Sequence, residues 1–163
     1  MSLSDDLYRE TILDHYHHPR NRGVIDDATA VVEGINPLCG DELTLYMQVD
    51  DGKIKDIKLN AKGCSINTAS GSMMSEAVLG QSLAEASKTV ETFKEMMLEK
   101  RKEEVTLPEG MEELESLQGV KKYPVRIKCV LLPWNSLMQA IKDVSGSASV
   151  DSHANIHSKV EMN

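Results

Sequence analysis

An α+β fold is predicted for this chain of 163 residues, and three observations predict it. Period-two alternation of apolar residues is confined to the stretch before Gly63. Helical spacing governs nearly everything after that glycine. Apart from an opening helix, strand signals therefore come first and helix signals later, unlike the strand–helix alternation of a wound parallel sheet.

The elements follow in order. Residues 3–18 read as a helix: Ser4 caps it, Asp5 and Asp6 suit its first turn, and Leu7, Tyr8, Ile12 and Tyr16 share a face. His15, His17 and His18 fall in its last turn, where they meet the helix C-terminus favourably, and Pro19 ends the run. Residues 28–35 read as a first strand. Leu43, Leu45, Met47 and Val49 alternate with Thr44, Tyr46 and Gln48, which marks a half-buried strand. Asp51-Gly52 supplies a two-residue hairpin turn. Ile57, Leu59 and Ala61 line the return strand, and Ile54, out of phase with them, predicts a break in register near the turn.

Cys64-Ser65 opens a helix of small residues that ends at Gly80. Ser82 starts another, through Leu83, Ala86, Val90, Phe93, Met96 and Met97. Residues 99–110 are charged and contain Pro108-Glu109-Gly110, an exposed loop by composition. A short helix over 111–117 follows. Pro124 suits the first turn of a last helix that carries Cys129, Leu137, Ile141 and Val144. Pro133 lies inside it and is expected to kink or split it, since an interior proline costs ~3 kcal/mol. Residues 145–163 are Ser-rich with little to bury, so 1–144 is expected to be one domain and 145–163 a disordered tail.

The net charge of −8 argues against a nucleic-acid partner, which needs clustered Lys and Arg. No apolar run is long enough to cross a bilayer. The opening residues lack the basic and apolar regions of a secretory signal. Three cysteines are too few and too scattered for a disulfide scaffold. The expectation is a reduced, cytoplasmic protein.

Those cysteines carry the chemistry. Cys39 lies in Asn36-Pro37-Leu38-Cys39-Gly40-Asp41, a turn rather than a core strand. Gly40 lets the thiol of Cys39 and the carboxylate of Asp41 converge. Cys64 follows Gly63 at a strand-to-helix junction, where helix N–H groups favour a thiolate. Cys129 is flanked by Arg126 and Lys128, cations that do the same. Three thiolates and one carboxylate make the four ligands of a tetrahedral zinc site, with Arg126 or Lys128 to offset its charge. A lone oxygen among sulfurs points to a site that opens, exchanges a ligand or hosts a cluster. The methionines at 73, 74, 96 and 97 read as core.

Four motifs, in order, resemble the U-type iron–sulfur cluster assembly proteins. They are Asp14 to Gly23, Asn36 to Asp41, Gly63 to Ser70 and Arg126 to Cys129, and the resemblance spans about residues 5–143. It implies a three-stranded antiparallel sheet with helices packed on it and a metal site at one end. In the IscU-type scaffold a histidine precedes the third cysteine and a Leu-Pro-Pro-Val-Lys motif signals a chaperone. Here Lys128 stands in place of that histidine, and Lys121 to Arg126 occupies the chaperone region. The chain also carries a charged loop and short helix between Cys64 and Cys129. These features resemble the SufU type. Leu38 in place of a threonine and Pro133 in place of a helix former depart from the family pattern.

The SufU resemblance implies Zn2+ on Cys39, Asp41, Cys64 and Cys129. It further implies a sulfurtransferase that takes sulfane sulfur from a PLP-dependent cysteine desulfurase. Cys39 would be the acceptor, Arg126 would steady the site or contact the partner, and downstream iron–sulfur assembly proteins would receive the sulfur. The alternative is a scaffold that assembles a [2Fe–2S] cluster, or holds iron, on the same ligands. A zinc-stabilised interaction module without sulfur chemistry is a third reading.

Overall fold

The computed structural model describes residues 3–98, 112–146 and 156–162. Its sheet is organised by one hairpin. Asp51 and Gly52 take φ of 53° and 72°, the left-handed pair that a tight hairpin turn requires. They join strand β2 (Asp41–Asp50) to β3 (Lys53–Lys62). The register shifts between Gln48 and Val49, where Gln48 faces Asp56 and Val49 faces Ile54. Lys55 is thus the extra residue, and the bulge turns Ile54 into the core as its phase predicted. Strand β1 (Ala30–Asn36) pairs antiparallel with β2, Asn36 opposite Asp41.

A fourth strand corrects the expected sheet. β4 (Ile156–Glu161) pairs parallel with β1, so the sheet is mixed, with order β3-β2-β1-β4. It falls within the stretch read as a disordered tail. Its signal is weak because Ile156, Ser158 and Val160 are only half-buried.

Helices α2 (Ser65–Val78) and α4 (Pro124–Ser145) cover one face of the sheet. Val32, Leu43, Leu45 and Met47 are buried beneath them. Gly34 is required there: a Cβ would lie 2.5 Å from Ser136 Oγ and 3.1 Å from Leu132 Cδ1, both on α4. Pro133 does not split α4, which runs through it as one element. Ser70 Oγ donates to the Val130 carbonyl at 2.7 Å and accepts from Trp134 Nε1 at 2.9 Å, fastening α2 to the helix around the proline. Trp134 stacks on Phe93 with ring centroids 4.0 Å apart. Phe93 belongs to α3 (Leu83–Leu98), whose start is closed by reciprocal bonds between Ser82 and Glu85. Met73, Met74, Met96 and Met97 are core, as expected.

Two further expectations change. The short helix is a 3-10 helix and longer, Glu112–Lys122. In α1 (Leu3–His17) Ile12 is buried but Tyr16 is 40% exposed, and His15 takes the inward place. The loop expected over 99–110 lies outside the described residues.

The segment after α1 is a clasp. Arg20 N–H donates to Ser72 Oγ at 2.8 Å, Asn21 Nδ2 to Ser75 Oγ at 2.9 Å, and Leu59 N–H to the Asn21 carbonyl at 2.9 Å. The motif around residues 14–23 therefore ties α1 to α2 and β3.

Candidate metal centre

Sheet and helix ends converge on the cysteines. Residues 37–40 form the turn from β1 to β2, and Gly40 takes φ of 67° within it. Cys39 is half-buried on that turn. Asp41 begins β2 and is fully buried. Gly63, at φ of 108°, ends the link from β3. A Cβ on it would lie 2.6 Å from Asp41 Oδ1 and 3.1 Å from the Gly40 carbonyl, so only glycine lets this link pass the aspartate. Cys64 then caps α2, its Sγ accepting from Ile66 N–H at 3.3 Å. Cys129 lies in the second turn of α4, fully buried.

Four residues scattered over ninety positions of sequence are thereby sorted into a group of three and a neighbour. The ligand atoms of Cys39, Asp41 and Cys129 all lie within 4.8 Å of one another. Cys64 falls outside that spacing. Its sulfur is drawn toward Arg126, whose Nη1 donates to it at 2.8 Å. Its backbone stays with the group: Cys64 N–H donates to Asp41 Oδ1 at 2.8 Å.

Burial and nearby negative charge set the electrostatics of the group. Burial pushes the Cys129 thiol far above the ordinary cysteine range. Hydrogen bonds with Asp41 and Cys39, and the negative charges of Asp41 and Cys64, push it the same way. Arg126 is raised, first by the charge of the Cys64 thiolate and then by its hydrogen bond to that sulfur. Asp41 Oδ2 is buried with no partner among the described residues. A buried carboxylate oxygen is costly unless something pairs with it. Soft sulfurs, one unpaired oxygen and a collective negative charge fit a thiophilic divalent cation. Cys39, Asp41 and Cys129 form a group able to hold one, with Cys64 next to it.

Sequence reasoning missed three residues. Asn36 donates from Nδ2 to Cys129 Sγ at 3.8 Å. Asn67 donates to the carbonyls of Glu42 and Lys62, both at 3.4 Å, pinning the strand ends beside Asp41 and Gly63. Both asparagines stand in the quoted motifs, but nothing in their types tells a sulfur partner from a backbone one. His15 is the third. Its Nδ1 pairs with Ser72 Oγ at 2.7 Å and its Nε2 with Glu113 Oε2 at 2.8 Å, with Glu76 Oε1 at 3.9 Å. The available signal was its i+3 spacing from Ile12. Elsewhere, a cleft of about 380 Å³ between α1, α2 and β3 is lined by Tyr16, Arg20, Arg22 and Thr68 among others, and by none of the four candidate ligands.

Known proteins resemble the chain over most of its length. Residues 7–146 match the model of the NifU-like N terminal domain. The chain is 40% identical over 142 residues to the zinc-dependent sulfurtransferase SufU of Bacillus subtilis, covering 87% of this chain and 94% of that one. It is 38% identical over 139 residues to the iron–sulfur cluster assembly scaffold protein IscU of Thermotoga maritima, covering 85% and 95%. Among solved structures, a NifU-like protein (N-terminal) from Brucella abortus superposes with a TM-score of 0.78 at 26% identity, over 90% of this chain and all of that one. A candidate scaffold protein for the SUF system from Fervidobacterium islandicum AW-1 superposes with a TM-score of 0.75 at 38% identity, over 85% and 99%.

Proposed function

The chain belongs to the NifU-like N-terminal domain family, and on that footing we propose that it serves iron–sulfur cluster assembly as a zinc-dependent sulfurtransferase. Its partners are a PLP-dependent cysteine desulfurase, which supplies sulfane sulfur, and downstream iron–sulfur assembly proteins, which take it. The workplace is the cytoplasm. No helix among the described residues is long and apolar enough to cross a membrane.

One observation carries the reading: two thiols and a buried, unpaired carboxylate oxygen converge at Cys39, Asp41 and Cys129, with Cys64 and a guanidinium beside them. Cys39, Asp41, Cys64 and Cys129 would hold Zn2+, Cys64 turning in from Arg126 to complete the set. Bound there, zinc keeps the sulfurs deprotonated at neutral pH.

Burial and hydrogen bonding together separate the three sulfurs. Cys129 is fully buried, and Cys64, half-buried like Cys39, is tied to Arg126 and Ile66. Cys39 is half-buried on a turn beside Leu38, which is 69% exposed. Cys39 is therefore the sulfur a protein partner can reach. Its thiolate attacks the terminal sulfur of the desulfurase persulfide. The S–S bond of the donor breaks, its cysteine leaves as a thiolate, and Cys39 carries the new persulfide. Arg126 remains to balance negative charge while Cys39 is engaged.

The test joins two measurements. Protein purified without added iron is assayed for metal, and then for persulfide on Cys39 after incubation with a cysteine desulfurase and cysteine. One zinc per chain, with persulfide on Cys39, is the expected result. Sulfur uptake at the wild-type rate by Cys39→Ala would overturn the acceptor assignment. Iron with acid-labile sulfide in place of zinc would favour the second reading, a scaffold that assembles a [2Fe–2S] cluster on the same ligands; the Thermotoga relative is named as an iron–sulfur cluster assembly scaffold protein.

A further inference from the structure

Asn36 is the last residue of β1, directly opposite Asp41, and it is fully buried. Its amide makes one bond, from Nδ2 to Cys129 Sγ at 3.8 Å, and its Oδ1 is buried with no partner among the described residues. We infer that Asn36 is a positioning residue of the centre, its amide N–H holding the Cys129 sulfur in place as a metal ligand. The inference rests on the metal centre proposed above.

Three features lead to it. A metal-bound thiolate only accepts hydrogen bonds, and the side of the amide turned to Cys129 is the side that donates. Next, a half-satisfied buried amide lowers stability, whereas an apolar β-branched residue would fill a strand position without that loss. The amide is therefore poorly explained as packing. Asn67, whose Oδ1 is likewise buried without a partner among the described residues, differs in where its amide donates: both bonds go to backbone carbonyls and pin strand ends, not to a sulfur. Finally, the fold brings Asn36 to this sulfur by a specific device. Two residues earlier, Gly34 leaves no Cβ against Ser136 and Leu132, so α4 lies close on β1 where Cys129 meets Asn36.

The division of labour follows from position. Cys39 must leave its ligand place to take up sulfur. Cys129, buried and held by an amide, stays as the anchor. Partners of this kind around metal ligands typically change metal affinity 10–100-fold when removed.

Valine and threonine have the same shape and differ in one hydrogen-bond donor, so Asn36→Val against Asn36→Thr isolates the donor. Both are purified as full chains and loaded with Co2+. Metal affinity is read by chelator competition, and the sulfur-to-cobalt charge-transfer band is read by absorption. Asn36→Val is expected to bind cobalt about 10–100-fold more weakly than wild type, with a shifted band. Asn36→Thr is expected to recover most of that loss. If the valine variant does not fold, Asn36→Ala against Asn36→Ser gives the same comparison in a smaller side chain. Equal affinity and the same band in both members of a pair would overturn the role of Asn36. A wild type that takes up cobalt with no sulfur band would overturn the metal centre itself, and the inference with it.

Discussion

The backbone N–H of Cys64 donates to Asp41 Oδ1 at 2.8 Å, so the start of one candidate ligand's helix is fastened to the side chain of another. That bond engages one carboxylate oxygen and leaves Oδ2 buried and unpaired. Asp41 is thus both a hinge pin for α2 and a candidate ligand with an oxygen that has no partner among the described residues.

Gly63 makes this approach possible, and Gly63→Ala is expected to break it. The new methyl group would lie 2.6 Å from Asp41 Oδ1, at a φ of 108° that side chains rarely adopt. A loss on the order of 1–3 kcal/mol in urea unfolding is expected, with less zinc in the purified protein. Wild-type stability together with full zinc content would show that the link can take another path.

Arg126→Gln is expected to leave zinc content unchanged and to slow persulfide formation on Cys39 by roughly tenfold. A charge-assisted hydrogen bond is worth ~1.5–3 kcal/mol, and the exposed setting of Arg126 places it at the low end. The measurement is the single-turnover rate with a desulfurase. Loss of zinc instead of rate would make Arg126 a support of the metal rather than of transfer.

His15 holds the 3-10 helix to the body of the protein. His15→Ala opens a cavity, strips Glu113 of its partner and leaves Ser72 Oγ with the Arg20 N–H alone, for an expected loss of about 2–4 kcal/mol by urea unfolding. Glu113→Gln should lose less than about 1 kcal/mol, because Glu113 is 61% exposed. Equal losses in the two variants would mean that the contact with Glu113, not the buried ring, is the fastening.

Ending the chain at Gly146 removes β4 and bares the hydrogen-bonding edge of β1. It also removes Val160 and Met162 from their packing on the core. A lower melting temperature and concentration-dependent self-association by light scattering are expected. An unchanged melting temperature and a monodisperse sample would make β4 dispensable.

The Asp14 carboxylate is held below its ordinary value of 3.8, first by its hydrogen bond with Arg20. A depressed carboxylate stabilises the fold above its unfolded value, and the contribution is lost as pH falls through the folded one. The stability difference between wild type and Asp14→Asn should therefore be present at neutral pH and vanish on acidification below 3.8. Denaturant midpoints across pH 3–7 check it (roughly that range brackets carboxylate titration). A difference that persists at the acid end would assign it to packing.

Much of the fold could be read from local pattern. The β2–β3 hairpin has alternation, a left-handed turn pair and an out-of-phase Ile54, and each is a property of a few adjacent residues. The four candidate ligands were legible because each thiol or carboxylate stands in a turn or helix-start context visible in five or six residues. β4 was not legible. Its half-buried residues make a faint alternation, and its stability comes from the open edge of β1, more than a hundred residues away in sequence.

The sequence by itself determined which chemistry is available: three thiols, one carboxylate and the glycines that let them turn. Tertiary structure alone decided how those groups are shared out. It buried Cys129, left Cys39 on an accessible turn, drew Cys64 toward Arg126 and set Asn36 against the buried sulfur. The physical reason is that residue type and spacing fix a local conformation. Burial, and with it ionisation and access, depends on which distant helix packs against which strand.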